Sequence, residues 1–307
     1  MHIATEIDYS KYNRKPFLQR MLPYLIIAPA LLVTIGIMYP FLTAVHDSFT
    51  NFSLNRTTWN YVGFRNWLRM FGNSDFFHAV WVTAKYAFWA TGIEMVLGLA
   101  IGLLICKKSN WFTSSLRVVL VFPLMIAPVI ATIIWQLMTN TSVGILEKAL
   151  NLFGIYGFAW ASSQNTALFT AVLIDVWVFT PFIIVLVVAG INSLPKSPFE
   201  AAQVDGASAW FTFKNLTMPM LKPFLYIALI FRLMAAMQEY AIIFALTKGG
   251  PGNTLMNLSL TAYYKGFYYK RIGESMPYIL FLWLVIYIIA KFLVGKWLKV
   301  QKTASGR

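Results

Sequence analysis

Four ionisable residues, Glu94, Asp175, Arg232 and Glu239, each fall inside a long apolar run of this chain. A charge in hydrocarbon is destabilising unless it is paired or lines a polar path, so such residues mark a structural network or a solute or ion route. Arg232 and Glu239 are seven residues apart, which on one continuous helix puts them on one face, about 10.5 Å apart along the axis. Their side chains cover only part of that gap, so two readings stand: a network that recruits another helix, or a ligand site. Nearby in sequence lie Trp177, Phe179 and Thr180 in one run and Gln238, Glu239 and Tyr240 in the next. Aromatic platforms beside amides and carboxylates would suit sugars, polyols with apolar faces, although aromatics within spans more often face lipid or pack against other helices.

Other chemistries are missing. No G-x-x-x-x-G-K-[ST] phosphate loop occurs, so if ATP drives this chain another subunit binds it. His2, His46 and His78 lack HExxH spacing, and no metal site is expected. There is no G-x-S-x-G elbow and no recognisable pair of catalytic carboxylates, so no catalytic residue is assigned. Cys106 is the single cysteine, which excludes an internal disulfide and a CxxC site.

The elements that must position these residues are membrane spans. Of 307 residues 59% are hydrophobic and 12% charged, and the mean hydropathy is +0.65. A single soluble core cannot absorb that much apolar surface. Six runs are long enough to cross about 30 Å of hydrocarbon: about 22–45, 79–105, 117–138, 167–191, 223–246 and 276–298. The first follows a tail bearing Lys11, Arg14, Lys15 and Arg20, shows no small-residue cleavage site, and is expected to be a retained span. The expectation is an all-α, polytopic membrane protein with six transmembrane helices. Residues 1–21 and 299–307 form tails, and 22–298 the transmembrane domain.

With both termini in the cytoplasm, the inside segments hold fifteen Lys and Arg and the outside segments, 46–78, 139–166 and 247–275, hold eight. This bias supports cytoplasmic termini. The net charge of +14 is then mainly a topology signal that also favours anionic lipid at the inner surface. Its basic residues are spread over several loops with no nucleic-acid motif, so nucleic acid is not an expected partner. Gly98 and Gly102 form a G-x-x-x-G suited to close helix contact. The aromatic-rich loop 46–78 reads either as an interfacial helix or as a surface for a solute-binding protein.

The segment 197–222 is a polar interruption between two apolar runs. Ser197 suits an N-cap, Pro198 the first helical position and Glu200 a capping box. On one helix Ala202, Gly206 and Ala209 would form a stripe of small residues that admits a close neighbour. A plain amphipathic connector fits the same spacing.

Glu200-Ala201-Ala202, Gly206 four residues after Ala202, and Met218-Pro219 together resemble the EAA loop of permease subunits of bacterial binding-protein-dependent ABC importers. Further stretches resemble the carbohydrate, maltose-type branch: Val62-Gly63-Phe64-Arg65-Asn66-Trp67, Trp177 to Pro181, and Thr247-Lys248-Gly249-Gly250-Pro251-Gly252-Asn253. The resemblance covers roughly residues 20 to 300. Lys248, Ala241 and Met218 depart from residues common there, glycine, aspartate and leucine respectively, and bear on solute identity more than on class.

The resemblance implies the type I ABC importer permease fold in the bacterial cytoplasmic (inner) membrane. Glu200, Ala201, Ala202, Asp205, Gly206 and Pro219 would form the ATPase-coupling site, with Glu200 meeting a basic residue of the ATPase. Solute contacts would come from Val178, Phe179, Ala235, Ala236 and Glu239, joined by Trp177, Thr180, Gln238 and Tyr240. Phe179 and Glu239 lead that set, and the small Ala235 and Ala236 imply a ligand other than maltose. Gly249, Gly250, Pro251, Gly252 and Asn253, a turn by composition, would dock an extracytoplasmic binding protein. A second homologous permease and two copies of an ABC ATPase complete the implied assembly, with ATP and Mg on the ATPase and no cofactor in this chain. The rival reading is a self-sufficient secondary transporter coupled through Asp175, Glu239 and Arg232.

Overall fold

A computed structural model describes residues 17–106 and 111–304. In chain order the helices are α1 Phe17–Ser48, α2 Arg65–Phe71, α3 Ser74–Cys106, α4 Trp111–Val121, α5 Pro128–Met138, α6 Ile145–Leu152 and α7 Ala167–Asn192. They continue with α8 Ser197–Val204, α9 Ala209–Thr212, α10 Met218–Met237, α11 Ala241–Thr247, α12 Leu258–Tyr263 and α13 Ile272–Ala304. Among the described residues there is no strand beyond one isolated bridge, Thr50 to Tyr61.

Five helical stretches are long and apolar enough to span a membrane, or six if one bent pair counts as a span. Four expected runs, 22–45, 79–105, 167–191 and 276–298, lie within α1, α3, α7 and α13. The run 117–138 is not one straight helix: Ser115–Met125 and Pro128–Met138 meet at 102°. Pro128 lacks an amide proton and its ring drives the preceding residue out of the helical region. Accordingly Ile126 and Ala127 are extended, with ψ of 131° and 134°.

The run 223–246 departs in another way. Its helix starts earlier, Ala209 to Met237 forming one spanning stretch, and it breaks at Gln238-Glu239-Tyr240 before α11. No proline or glycine marks this break; contacts from elsewhere hold it. The Glu239 carboxylate accepts the Ile242 amide at 2.8 Å, Asn257 Nδ2 donates to the Glu239 carbonyl, and Ser259 Oγ donates to the Gln238 carbonyl at 3.2 Å. Arg232 and Glu239 therefore do not share one helix face, contrary to the reading from their spacing.

α7 is the central helix, and α3 lies closest to it. A Cβ at Gly98 would overlap Ile183, and one at Gly102 would lie 2.6 Å from Val187 Cγ1. The two glycines thus let the helix backbones approach as G-x-x-x-G spacing allows. At the far end of α7, a Cβ on Gly190 would be 2.9 Å from Leu221 and Phe224, which brings in α10. α1 packs along α13 and buries none of its apolar window within this chain.

Segments 46–78, 139–166 and 247–275 gather at one end. Leu54 N donates to the Lys270 carbonyl at 2.9 Å, His78 Nε2 donates to the Asn253 carbonyl at 2.8 Å, and a Cβ on Gly252 would lie 3.2 Å from Gln164 Nε2. The 46–78 segment is mostly irregular, with only the seven-residue α2 before α3 begins. Phe71 and Phe76 pack edge-on against Phe281, whereas Trp59, Tyr61 and Phe64 are exposed.

Candidate functional site

Three of the four intramembrane charges, Glu94, Asp175 and Arg232, meet at one node. Arg232 on α10 donates through Nε and Nη2 to both carboxylate oxygens of Glu94 on α3, the Nη2 bond measuring 2.7 Å. The same Nη2 donates to Asp175 Oδ2 on α7 at 2.7 Å. Exposure is 3% for Arg232 and 0% for both acids. Two-pronged guanidinium–carboxylate pairing in a dry interior is strong and directional. It ties three spans at one depth, the structural network that sequence spacing left open.

The node also reaches Phe179, whose ring centroid lies 4.3 Å from the Arg232 guanidinium carbon. An ion-paired guanidinium on an aromatic face is an attractive contact that holds the ring in place. One turn along α10, Phe231 and Ala235 are both exposed, and Phe231 meets Phe182 of α7 edge-on. Phe231 and Ala235 therefore form an open face near a fixed polar node, with Phe182 half-buried against Phe231 and Phe179 half-buried against Arg232. Buried in the same spans, Asp175 Oδ1, Tyr86 Oη, Thr91 Oγ1 and Thr180 Oγ1 have no hydrogen-bond partner among the described residues.

The expected solute residues divide. Ala235 belongs to the open face, and Phe179 is half-buried beside Arg232. Val178 and Ala236, each 1% exposed, pack inside the protein and shape that face only from behind. Trp177 packs against Trp135 of α5. Thr180 is buried in α7. Gln238 turns toward α13, lining a cavity with Trp283 and Tyr287. Tyr240 stacks on Phe244 and meets Tyr263. Glu239 is half-buried and its Oε1 is engaged by the start of α11.

The segment 197–222 follows the Asn192 end of α7, about 39 Å along this 26-residue helix from its Ala167 end. It is not one helix with a small-residue stripe. α8 ends at Val204, Gly206 adopts φ of +70°, and Ala209 opens a separate helix capped by Ser208, whose Oγ accepts the Phe211 amide. Ala207 N bonds the Ala202 carbonyl at 2.9 Å and Gly206 N the Gln203 carbonyl at 3.2 Å, the Schellman pattern that wants glycine. Ser197 is not the N-cap: Lys196 holds that position and no side chain caps α8, so Glu200 takes part in no capping box. Pro198 does sit in the first turn.

Glu200, Ala201, Asp205 and Gly206 are exposed, with Ala202 and Pro219 half-buried. Ala201, Ala202 and Asp205 line one side of a cleft of about 530 Å³ that Phe211 and Leu216 close on the other. The Glu200 carboxylate has no side-chain partner among the described residues, leaving it available to an outside cation.

At the other end, Gly249 is buried with φ of +96°, and a Cβ there would be 2.9 Å from Leu260. Gly252 has φ of +60° and, like Asn253, is exposed. Gly250 and Pro251 are half-buried. Gly249 therefore anchors the loop, and Gly252 and Asn253 present it.

Sequence reasoning missed two residues. Asn257 caps α12 through the Leu260 amide at 2.9 Å and its Nδ2 holds the Glu239 carbonyl, so it links the broken helix to the next element. Its position before an apolar run was the available signal. Tyr86, fully buried in α3, gave no signal beyond sharing a helix with Glu94, eight residues on.

A protein-family model described as binding-protein-dependent transport system inner membrane component matches residues 94–300. The trehalose/maltose transport system permease protein of Thermococcus litoralis is 31% identical over 296 residues, covering 94% of this chain and 99% of its own. The sulfoquinovosyl glycerol transport system permease protein of Agrobacterium fabrum is 32% identical over 247 residues, 78% of this chain and 79% of its own. Among solved structures, a bacterial ABC transporter involved in import of the acidic polysaccharide alginate superposes with a TM-score of 0.80 at 18% identity, covering 92% of this chain and 97% of its own. The fold is the ABC importer permease fold expected from the sequence.

Proposed function

The chain belongs to the family of inner membrane components of binding-protein-dependent transport systems, and from that premise we propose that it carries a sugar or sugar-like solute handed over by an extracytoplasmic binding protein. It is a multi-pass permease subunit, not itself an enzyme. ATP and Mg belong to two copies of a separate ATPase that engage Glu200, Ala201, Ala202, Asp205, Gly206 and Pro219. Both termini are cytoplasmic, so the coupling segment faces the ATPase and the loop 249–253 faces the binding protein.

The observation that carries this reading is the disposition of α8 and the Gly-rich loop at opposite ends of the same spans. An exposed carboxylate beside an apolar cleft at one end suits a motor that closes on it. Phe231 and Ala235 form an open half-site, which a second homologous permease completes. Phe179 supplies the platform for a sugar face, and the second oxygen of Glu239 remains for a hydroxyl. The relatives' names, trehalose/maltose and sulfoquinovosyl glycerol among them, support a sugar-like solute.

A gradient-coupled carrier is disfavoured because Arg232 and Asp175 are occupied with Glu94 and Glu239 caps α11. The test is uptake into proteoliposomes holding this chain, its partner permease and the ATPase, with the cognate binding protein outside and a labelled sugar selected beforehand by a thermal-shift screen of that binding protein. Uptake that needs internal ATP and external binding protein is expected. Gradient-driven uptake by the chain alone would overturn the proposal.

A further inference from the structure

The end of the molecule that carries the Gly-rich loop also holds a separate cavity of about 600 Å³ between residues 51–69 and 269–274. Arg56, Arg65, Arg69 and Arg271 line it, and Glu274 is its one acidic lining residue. Glu274 is already engaged, at 3.2 Å by Arg69 and 3.6 Å by Arg271. No carboxylate among the described residues lies within 4.0 Å of Arg56 or Arg65. The cavity therefore has a formal excess of three positive charges, drawn from two distant parts of the chain.

The four arginines are exposed, but the backbone that carries them is fixed. Asn66, 4% exposed, donates from Nδ2 to the carbonyls of Ser48, Thr50 and Gly273, pinning α2 to the ends of α1 and α13. Gly273 N donates to the Phe52 carbonyl and Ser53 Oγ to the Lys270 carbonyl, closing the walls on each other. Like charges held together by a rigid frame repel unless an anion joins them.

The depth of the cavity says which anion. The apolar runs of α1 and α13 end near residue 45 and begin near 276, and the cavity walls at 51–69 and 269–274 lie just beyond both, where hydrocarbon gives way to headgroups. Leu54, Trp59, Tyr61 and Phe64 stand exposed on the same segment. Indole and phenol rings beside arginines are the side chains that settle at this boundary.

We propose that this cavity binds the phosphodiester headgroup of an anionic phospholipid, with Arg56 and Arg65 as its principal ligands. The lipid anchors the 46–78 segment to the membrane surface and holds α1 against α13 at that end. The inference does not depend on which leaflet this end faces.

The test uses the assembled transporter in nanodiscs of phosphatidylcholine with and without phosphatidylglycerol, with bound lipid counted by native mass spectrometry. Wild type is expected to retain phosphatidylglycerol over phosphatidylcholine, and R56Q/R65Q to bind it about thirtyfold more weakly, as expected for two arginines near an anionic lipid. R56K/R65K should restore most of the binding, and equal melting of all three in pure phosphatidylcholine guards against a folding defect. If R56Q/R65Q melts early, the single variants R56Q and R65Q are read instead, each losing about fivefold. Equal phosphatidylglycerol occupancy in wild type and variants overturns the proposal, as does competition by inorganic phosphate equal to that of the lipid. Unchanged lipid occupancy with lost affinity for the binding protein would assign the cavity to protein docking, and also overturns it.

Discussion

Replacing Arg232 with methionine should be the most damaging single change in the buried node, and the structure ranks the alternatives. Methionine keeps much of the side-chain length but leaves Glu94 and Asp175, both 0% exposed, facing each other without a cation. Removing one partner of a buried ion pair costs about 3–5 kcal/mol. Asp175→Asn should be mild, on the order of 1 kcal/mol, because the balanced Glu94–Arg232 pair survives and the amide oxygen still accepts from Nη2. Glu94→Gln should fall between, since it removes the two-pronged partner but leaves Asp175 as counter-charge. Changing all three at once, E94M/D175L/R232M, removes the charges together and should recover much of what R232M alone loses. At about 2–4 °C per kcal/mol, R232M is expected to melt about 6–20 °C below wild type in detergent, read by tryptophan fluorescence. If R232M melts no lower than D175N, or the triple variant melts lower than R232M, the account of the node as a paired buried charge is wrong.

Three further outcomes are expected from the same packing. Gly98→Leu forces a side chain into Ile183 and should lower stability by about 1–3 kcal/mol, with partial rescue by adding I183A; melting of the single and double variants checks this. Gly206→Asn keeps a residue tolerant of φ of +70° and should fold normally, whereas Gly206→Val strains the turn by about 1–2 kcal/mol. Because a Cβ at 206 meets nothing within 4 Å in this chain, loss of ATPase co-purification in well-folded G206N would report contact with the partner, and normal co-purification and uptake would remove Gly206 from the interface. Phe179→Ala should weaken solute transport while leaving ATPase co-purification intact; unchanged uptake would take the aromatic platform out of the solute path.

Class and broad function were legible in the sequence because they rest on one-dimensional quantities. Apolar run length located four spans within a few residues, and alternation of the spans grouped the segments that the fold gathers at one end. G-x-x-x-G spacing identified a close contact, though only the structure shows that its partner is Ile183 and Val187 on α7. The failures share a cause. The break at 238–240 has no proline or glycine because Asn257 and Ser259, far along the chain, hold it open. The small-residue stripe assumed one helix through Gly206, where the backbone instead takes the left-handed turn that ends α8. Hydropathy over 117–138 recorded an apolar length but not its 102° bend.

The sequence by itself determined that this chain dissolves in a bilayer, where four of its spans lie, that it holds no phosphate loop, and which segment resembles a motor-docking loop. These follow from local composition and spacing, which the bilayer reads directly as a solvent. Only the tertiary structure decided which charges neutralise which. Arg232 could have met Glu239 on its own run, yet pairs with Glu94 and Asp175, 138 and 57 residues away. Charge pairing in a dry interior depends on distances of about 3 Å, and distances of that kind between separate spans exist only once the helices have packed.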